Sequence, residues 1–458
     1  MRKNKITLLL FAFFLFLSLL SQAQSKKWTL SECVDYAIKN NISIQQSELE
    51  TESAAIQKKS AIGNFLPSLN ANGSHSWNIG LNQNITTGLL ENQTTQFTSA
   101  GISSNVAIYN GMQNQNRLRK ANLSILAAQY QLSKIKEDVS LNVANAFLQV
   151  LFNKENLKVQ KEQLANNEKQ LLRSQELVNA GVVPRGDLLD IKATVATNNQ
   201  SIVAAENALL ISKLSLAQLL QFKDFADFDI SEMDYVQKDN AILMQTPSAV
   251  YQKAKEERVE LKIAKTNLDI AERDVKIAKG AYQPSIQGFY SLNTRAAYSD
   301  RIIFDALGNP SFAPALPVLN QFDTNKGHSF GLQLTIPIFN GFSAKNNVTL
   351  SKIALEQSKL AFSQQELDLE RNIFTAFTDA KGAVKAHESA ITALEARQEA
   401  FNYAKEKYDV GMMNAFDFNQ SQTLLANAKS EVIRTKYDYI FKIKVLEFYF
   451  GIPIIQKQ

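Results

Sequence analysis

The sequence predicts a mixed α and β chain in which a small set of alternating strands is joined to very long helices. Three observations predict it. The chain repeats itself at a fixed offset, so one structural unit occurs twice. Four segments alternate polar and apolar residues with the period of two that marks a strand. Two stretches, 112–178 and 342–408, keep a heptad pattern with only Gly382 as a potential breaker.

The repeat sets the organisation. Ala37 matches Ala254 and Ile44 matches Leu261 at an offset of 217. The same offset sets Phe65-Leu66-Pro67 against Tyr282-Gln283-Pro284, and Ser68 against Ser285. Tyr109-Asn110-Gly111 matches Phe339-Asn340-Gly341 at an offset of 230, which holds through Phe147 and Phe377, Gly181 and Gly411, and Asp187 and Asp417. The second copy has therefore gained 13 residues, all around 297–326, where Pro310, Pro314 and Pro317 predict a loop. In each copy a helix (29–63, then 247–280) ends near Gly63 or Gly280, with Pro67 or Pro284 beyond it. A strand pair, the long helix and a return helix (187–222, then 417–449) complete the unit. The predicted divisions are a leader at 1–23, repeat 1 at 24–222 with its hairpin at 66–109, a connector at 223–247, repeat 2 at 248–451 with its hairpin at 283–339, and a tail at 452–458.

The strands carry a small polar face. Ser68, Asn70, Asn72 and Ser74 alternate with Leu69, Ala71, Gly73 and His75, and the pattern continues to Leu81. Ala100, Ile102, Ser104, Val106 and Ile108 lie opposite Ser103, Asn105 and Ala107. In the second copy Ser285, Gln287, Ser291 and Asn293 oppose Ile286, Tyr290 and Leu292, and Gln333 lies among Ser329, Gly331 and Thr335 opposite Phe330, Leu332 and Leu334. A half-buried antiparallel sheet alternates in the same way. Two details favour a membrane barrel instead. The polar face is mostly small and uncharged, which suits a wet lumen, and the segments reach the ~10 residues that a tilted strand needs to cross a bilayer. Four strands cannot close a barrel, and an open edge cannot sit in lipid. The barrel must then be shared: two chains would give eight strands, three would give twelve. Trp77 and Tyr290 on the apolar face read as lipid-facing or interfacial aromatics.

The helices read as coiled-coil staves. One heptad position runs Leu118, Ile125, Leu132, Val139, Ala146, then steps by four to Val150, Leu157, Leu164, Leu171 and Val178. The second copy repeats the step between Ala376 and Ala380. Such a stutter locally unwinds a left-handed coiled coil and suits nearly straight staves. From Gly111 to Gly181 is 70 residues, roughly 105 Å of helix.

Composition excludes several classes. Arg2, Lys3 and Lys5 precede an apolar run, Ile6 to Leu20, and then Ser21-Gln22-Ala23, the pattern of a cleaved secretory leader. The remaining chain has one cysteine, Cys33, so no disulfide can form within it, and Cys33 lies too far along to carry an N-terminal lipid. No other unbroken apolar run is long enough for a spanning helix. A net charge of +5 on 458 residues points to no nucleic acid. His75, His328 and His387 have no metal-ligand spacing, and no nucleophile–base set is legible, so neither a cofactor nor a catalytic site is expected. A structural or adhesive envelope coiled coil is the alternative reading; it explains the heptads but leaves the four alternating strands without a purpose.

These residues carry a family resemblance. Trp28-Thr29-Leu30-Ser31-Glu32-Cys33 with Ala37 and Asn40-Asn41, the Phe65-Leu66-Pro67 lead into the first strand, the two Asn-Gly strand exits and the Gly-x5-Asp spacing in both helix turns resemble the TolC-like outer membrane efflux proteins over nearly all of the chain beyond the leader. The resemblance implies a homotrimer with a twelve-stranded barrel in outer-membrane lipid and a helical tube in the periplasm. It implies a periplasmic adaptor and an inner-membrane transporter as partners, in an efflux or type I secretion system. It also places the two helix turns at the periplasmic entrance: Gly181, Asp187 and Asp190 from the first, and Tyr408, Gly411, Asp417 and Gln420 from the second. Gln420 stands where better-known members carry a further acid, and Met413 where some carry a basic residue. Asp417 would ring the entrance; a helix N-cap is its simpler role.

Overall fold

A computed structural model describes residues 27–84, 86–223, 225, 228–232 and 241–452. The expected leader, residues 224, 226, 227 and 233–240 of the 223–247 connector, and the tail beyond 452 lie outside the described residues. The chain forms two compact units. One draws its described residues from Met1–Leu49, Tyr130–Ile263 and Ser363–Gln458; the other is Glu50–Gln129 with Ala264–Phe362.

The elements run β1 (Lys27–Trp28), α1 (Leu30–Asn40), α2 (Ile42–Gly63), β2 (Ser68–Gln83), β3 (Leu90–Asn110), α3 (Gln113–Asn179), α4 (Arg185–Leu220) and β4 (Asp229–Ile230). Then follow α5 (Pro247–Glu257), α6 (Val259–Gly280), β5 (Ser285–Ala297), β6 (Arg301–Phe304), β7 (Pro310–Ala313), α7 (Val318–Thr324), β8 (Gly327–Thr335), α8 (Ser343–Asp409) and α9 (Ala415–Tyr449). The helix α1 starts on a capping box: Thr29 Oγ1 accepts from the Glu32 amide at 3.2 Å, and Glu32 Oε2 accepts from the Thr29 amide at 2.9 Å.

The first helix of each copy, expected to be continuous, is broken. The breaks fall at Asn41 and Arg258, which the 217 offset makes equivalent, and both residues are extended with their amides bonded to Ala37 and Ala254. Each break aims a buried polar side chain inward. Asn41 Nδ2 donates to the Leu219 carbonyl at 3.1 Å. Arg258, 5% exposed, donates from Nε and Nη2 to Glu260 at 3.0 and 2.7 Å, lies 3.0 Å from Glu137, and stacks its guanidinium 4.0 Å from the centre of the Phe448 ring. Periodicity alone does not show these breaks, because the apolar pattern resumes on the same face.

The first unit holds the main core. Cys33, Val34, Ala37 and Ile44 pack with Val143, Phe147 and Leu151 of α3, Leu216 and Leu220 of α4, Val250 of α5, Ile373 of α8 and Ile440 of α9. The stutter falls here: Val143, Phe147, Val150 and Leu151 are all buried, as are Leu369, Ile373, Ala376 and Ala380 in the second copy. A four-residue step brings a wider apolar face inward than a strict heptad would. Beside this core, β1 pairs parallel with β4, Trp28 opposite Ile230, and Trp28, Tyr36, Phe222 and Phe228 form an aromatic cluster. That two-residue sheet is too short to show as a sequence pattern. By length and composition α4 could cross a membrane. Its apolar residues are interspersed with Glu206, Asn207 and Lys213, so no unbroken run marks it.

The second unit holds an antiparallel four-stranded sheet, order β2-β3-β5-β8. Ser68 faces Asn105, Asn105 faces Phe289 and Phe289 faces Gly331. Residues 297–326, expected as a loop, instead contain the β6–β7 hairpin and α7. The helix takes up the sheet edge that β8 leaves open above Asn293. Gln321 Oε1 accepts from the Ala297 amide and its Nε2 donates to the Ala297 carbonyl, both at 2.9 Å, and Asn325 Nδ2 donates to the Arg295 carbonyl at 2.7 Å. Two amide side chains here stand in for a strand, which proline spacing cannot reveal.

Candidate functional site

Strand register decides which side chains share a face. Ser68, Asn70, Asn72 and Ser74 lie opposite Asn105, Ser103, Gly101 and Ser99. Through β5 and β8 the same face adds Ser285, Gln287, Ser291 and Asn293, with Gln333 opposite Gln287 and Thr335 opposite Ser285. All seven residues expected to line a lumen thus occupy one face of one sheet. Ser74 and Ser99 hydroxyls bond across it at 2.7 Å. The tip of the Phe289 ring lies over Gly331, where a Cβ would meet it at 3.1 Å.

The sequence pattern misses the charge on this face. Among the described sheet residues it carries Glu91 and Arg295, the latter in the row of Ser99 and Ser74 with its guanidinium 3.5 Å from the centre of the Phe97 ring. Single strands do not reveal the pair, because only the register sets Arg295 diagonal to Phe97.

The opposite face is apolar and bare. Ile79 is 83% exposed, Phe330 79% and Leu69 74%. Trp77 is exposed too, packed edge-on against His75. A sheet in a soluble sandwich would bury these side chains; here nothing among the described residues covers them.

The helix turns are built alike. Gly181 and Gly411 adopt φ of +72° and +76°. Val182 donates its amide to Leu177, and Met412 donates to Lys407, at 2.9 and 2.8 Å, a helix-ending pattern that needs the left-handed residue between. Neither aspartate is the N-cap. Pro184 precedes α4 and Asn414 caps α9, its Oδ1 accepting from the Asp417 amide at 2.8 Å. Asp417 sits in the first turn, where its carboxylate accepts from Asn414 Nδ2 at 2.9 Å and favours the positive helix end. Asp190 and Gln420 lie one turn further along and are exposed.

Tyr408 stacks on Phe418, ring centres 4.5 Å apart. Arg173 of α3 reaches across from the first copy, 5.7 Å over the Tyr408 ring, and pairs with Asp409. This bridge joins the two copies' helix ends. Arg173 and Asp409 carried no sequence signal, because their repeat mates, Tyr403 and Asn179, form no such pair. Among the described residues no three of His, Cys, Asp and Glu gather as a metal-holding group.

A four-stranded sheet with one small polar and one exposed apolar face, joined to 67-residue helices, is the architecture of a membrane channel protein of mixed α and β structure. The chain matches the outer membrane efflux protein family over residues 33–220 and 250–448 and belongs to it. It is an outer-membrane channel protein whose helices extend into the periplasm. It is 22% identical to the outer membrane protein TolC of Vibrio cholerae, across 79% of each chain. It is 21% identical to the cation efflux system protein CusC of Escherichia coli O157:H7, across 88% of this chain and 82% of that one. The crystal structure of the outer membrane protein VceC from Vibrio cholerae superposes with a TM-score of 0.76 at 14% identity, over 92% of this chain and 96% of that one.

Proposed function

We propose that this chain is one subunit of a trimeric exit duct, which passively conducts substrates delivered by an inner-membrane pump and a periplasmic adaptor, in efflux or type I secretion. One observation carries the reading: a sheet with a bare apolar face, a small polar face and two open edges. Lipid accepts the apolar face, water the polar one, and only further copies can close the edges. Three copies supply twelve strands and leave a lumen, as the family resemblance implies. The lumen is lined by Ser68, Asn70, Asn72, Ser74, Ser285, Gln287 and Gln333, and the 13-residue gain of the second hairpin faces the exterior. The turns bearing Gly181, Asp187, Asp190, Tyr408, Gly411, Asp417 and Gln420 form the periplasmic entrance, where the adaptor docks. No reaction is catalysed; the duct selects by width and charge, and the pump selects the cargo. The test is fractionation followed by gel electrophoresis with and without boiling, and then single-channel recording. An outer-membrane trimer that falls to monomer on boiling and conducts ions supports the duct. A soluble monomer with no conductance refutes it.

A further inference from the structure

Resting on the shared-barrel reading, we infer that Gly327–Thr335 of β8 pairs antiparallel with Asn72–Gly80 of β2 in a second copy, Gln333 opposite Ser74, with Gly341 seated on that copy's Gly63.

The chain already contains one junction of this kind. Where β3 meets β5, the second strand of the first copy pairs with the first strand of the second copy, Asn105 opposite Phe289 and Phe97 opposite Ala297. The two outer edges of the sheet are β2, a first strand, and β8, a second strand. They are the repeat mates of the inner pair. The 230 offset turns Asn105 into Thr335 and Phe97 into Gly327; the 217 offset turns Phe289 into Asn72 and Ala297 into Gly80. Carrying the inner register outward therefore sets Thr335 against Asn72 and Gly327 against Gly80.

Two independent features agree with this register. The first is facing. It places Gln333 by Ser74 and Ser329 by Asn78 on the polar side, and Phe330 by Trp77 and His328 by Ile79 on the apolar side. A slip of one residue would set every polar side chain against an apolar one.

The second is a pair of glycines. At the inner junction the backbones of Gly111 and Gly280 touch: a Cβ on Gly111 would lie 2.2 Å from the Gly280 carbonyl oxygen, and one on Gly280 2.5 Å from that of Gly111. Their repeat mates are Gly341 and Gly63. Both are glycine, yet among the described residues of the chain nothing lies within 4 Å of where a Cβ would stand on either. Gly341 has φ +60°, which accounts for one glycine, but Gly63 has no such need. A close backbone approach from another copy supplies the missing reason. Around this pair Ile56, Leu350 and Ile353 lie 57%, 62% and 52% exposed, an apolar surface for the neighbour's helices.

The test uses cysteine pairs in the full-length protein in its native membrane, with buried Cys33 left in place. Directly opposed residues lie within disulfide reach, whereas diagonal neighbours do not. Ser74→Cys with Gln333→Cys is expected to give boiling-resistant, reductant-sensitive trimers under mild oxidation. It should do so at least tenfold faster than Asn72→Cys or Ser76→Cys combined with Gln333→Cys. A displaced pair that links faster, with the unboiled trimer intact, overturns the register and leaves the shared barrel standing. Loss of the unboiled trimer from wild-type protein overturns the shared barrel itself. Gly63→Ala should fold as a monomer but lower the temperature at which trimers dissociate; an unchanged dissociation temperature overturns the glycine contact.

Discussion

The bridge between the two copies' helix ends gives a magnitude that can be measured. Arg173 makes two contacts there, its ion pair with Asp409 and its placement over the Tyr408 ring. Its side chain is 43% exposed and that of Asp409 39%, so the pair counts as a solvent-screened one, about 0.2–1 kcal/mol. The guanidinium, itself partly exposed, adds about 0.5–1 kcal/mol over the half-buried ring. Arg173→Ala thus removes about 1–2 kcal/mol. If the bridge holds only in the closed arrangement, the open fraction rises roughly 5- to 30-fold. Single-channel recording in planar bilayers reads this as longer open dwell times. Asp409→Asn should reproduce part of the change, and Arg173→Lys, which keeps the charge and loses the planar stack, should fall between. An Arg173→Ala channel with wild-type conductance and dwell times would refute the reasoning, since the bridge would then only decorate the helix ends.

Three further outcomes follow from the structure. Arg258→Met strands Glu260 and Glu137 without their cation and should cost about 3 kcal/mol, at the low end for a buried pair because Glu137 is 35% exposed; differential scanning calorimetry in detergent should show a Tm lower by roughly 5 °C. Burial holds the Glu137 carboxyl above its ordinary 4.5 against the pull of Arg258, so the folded state binds the proton more tightly than the unfolded chain; stability from this group is greatest at low pH and is lost as pH rises through the raised value, and Glu137→Gln should therefore compare best with wild type at pH 8 and worst at pH 5 in thermal melts. Arg295→Ser removes the cation in the Ser74 row of the polar face, and the reversal potential in a salt gradient should shift toward cation preference, an effect on the order of 1 kcal/mol per charge in a watery lumen.

The sequence by itself determined the repeat, the four strands and the long helices, because each rests on a local periodicity that a single stretch of chain carries. Ser68 to Ser74 show their polar face without any partner, and four strands are by count too few to close a barrel. The tertiary structure decided what depends on two distant stretches meeting. Asn41 and Arg258 break their helices because half-buried partners wait for them, Leu219 in one copy and Glu260 with Glu137 in the other. The inserted segment folds because Gln321 can satisfy the backbone of Ala297. Asp187 and Asp417 yield the cap to their neighbours through turn geometry that spacing does not encode. Arg173 and Arg295 matter through the ring each one covers, and no periodicity announces such a pairing. Periodic burial is written along the chain; one-to-one contact between remote side chains exists only once register and packing are fixed.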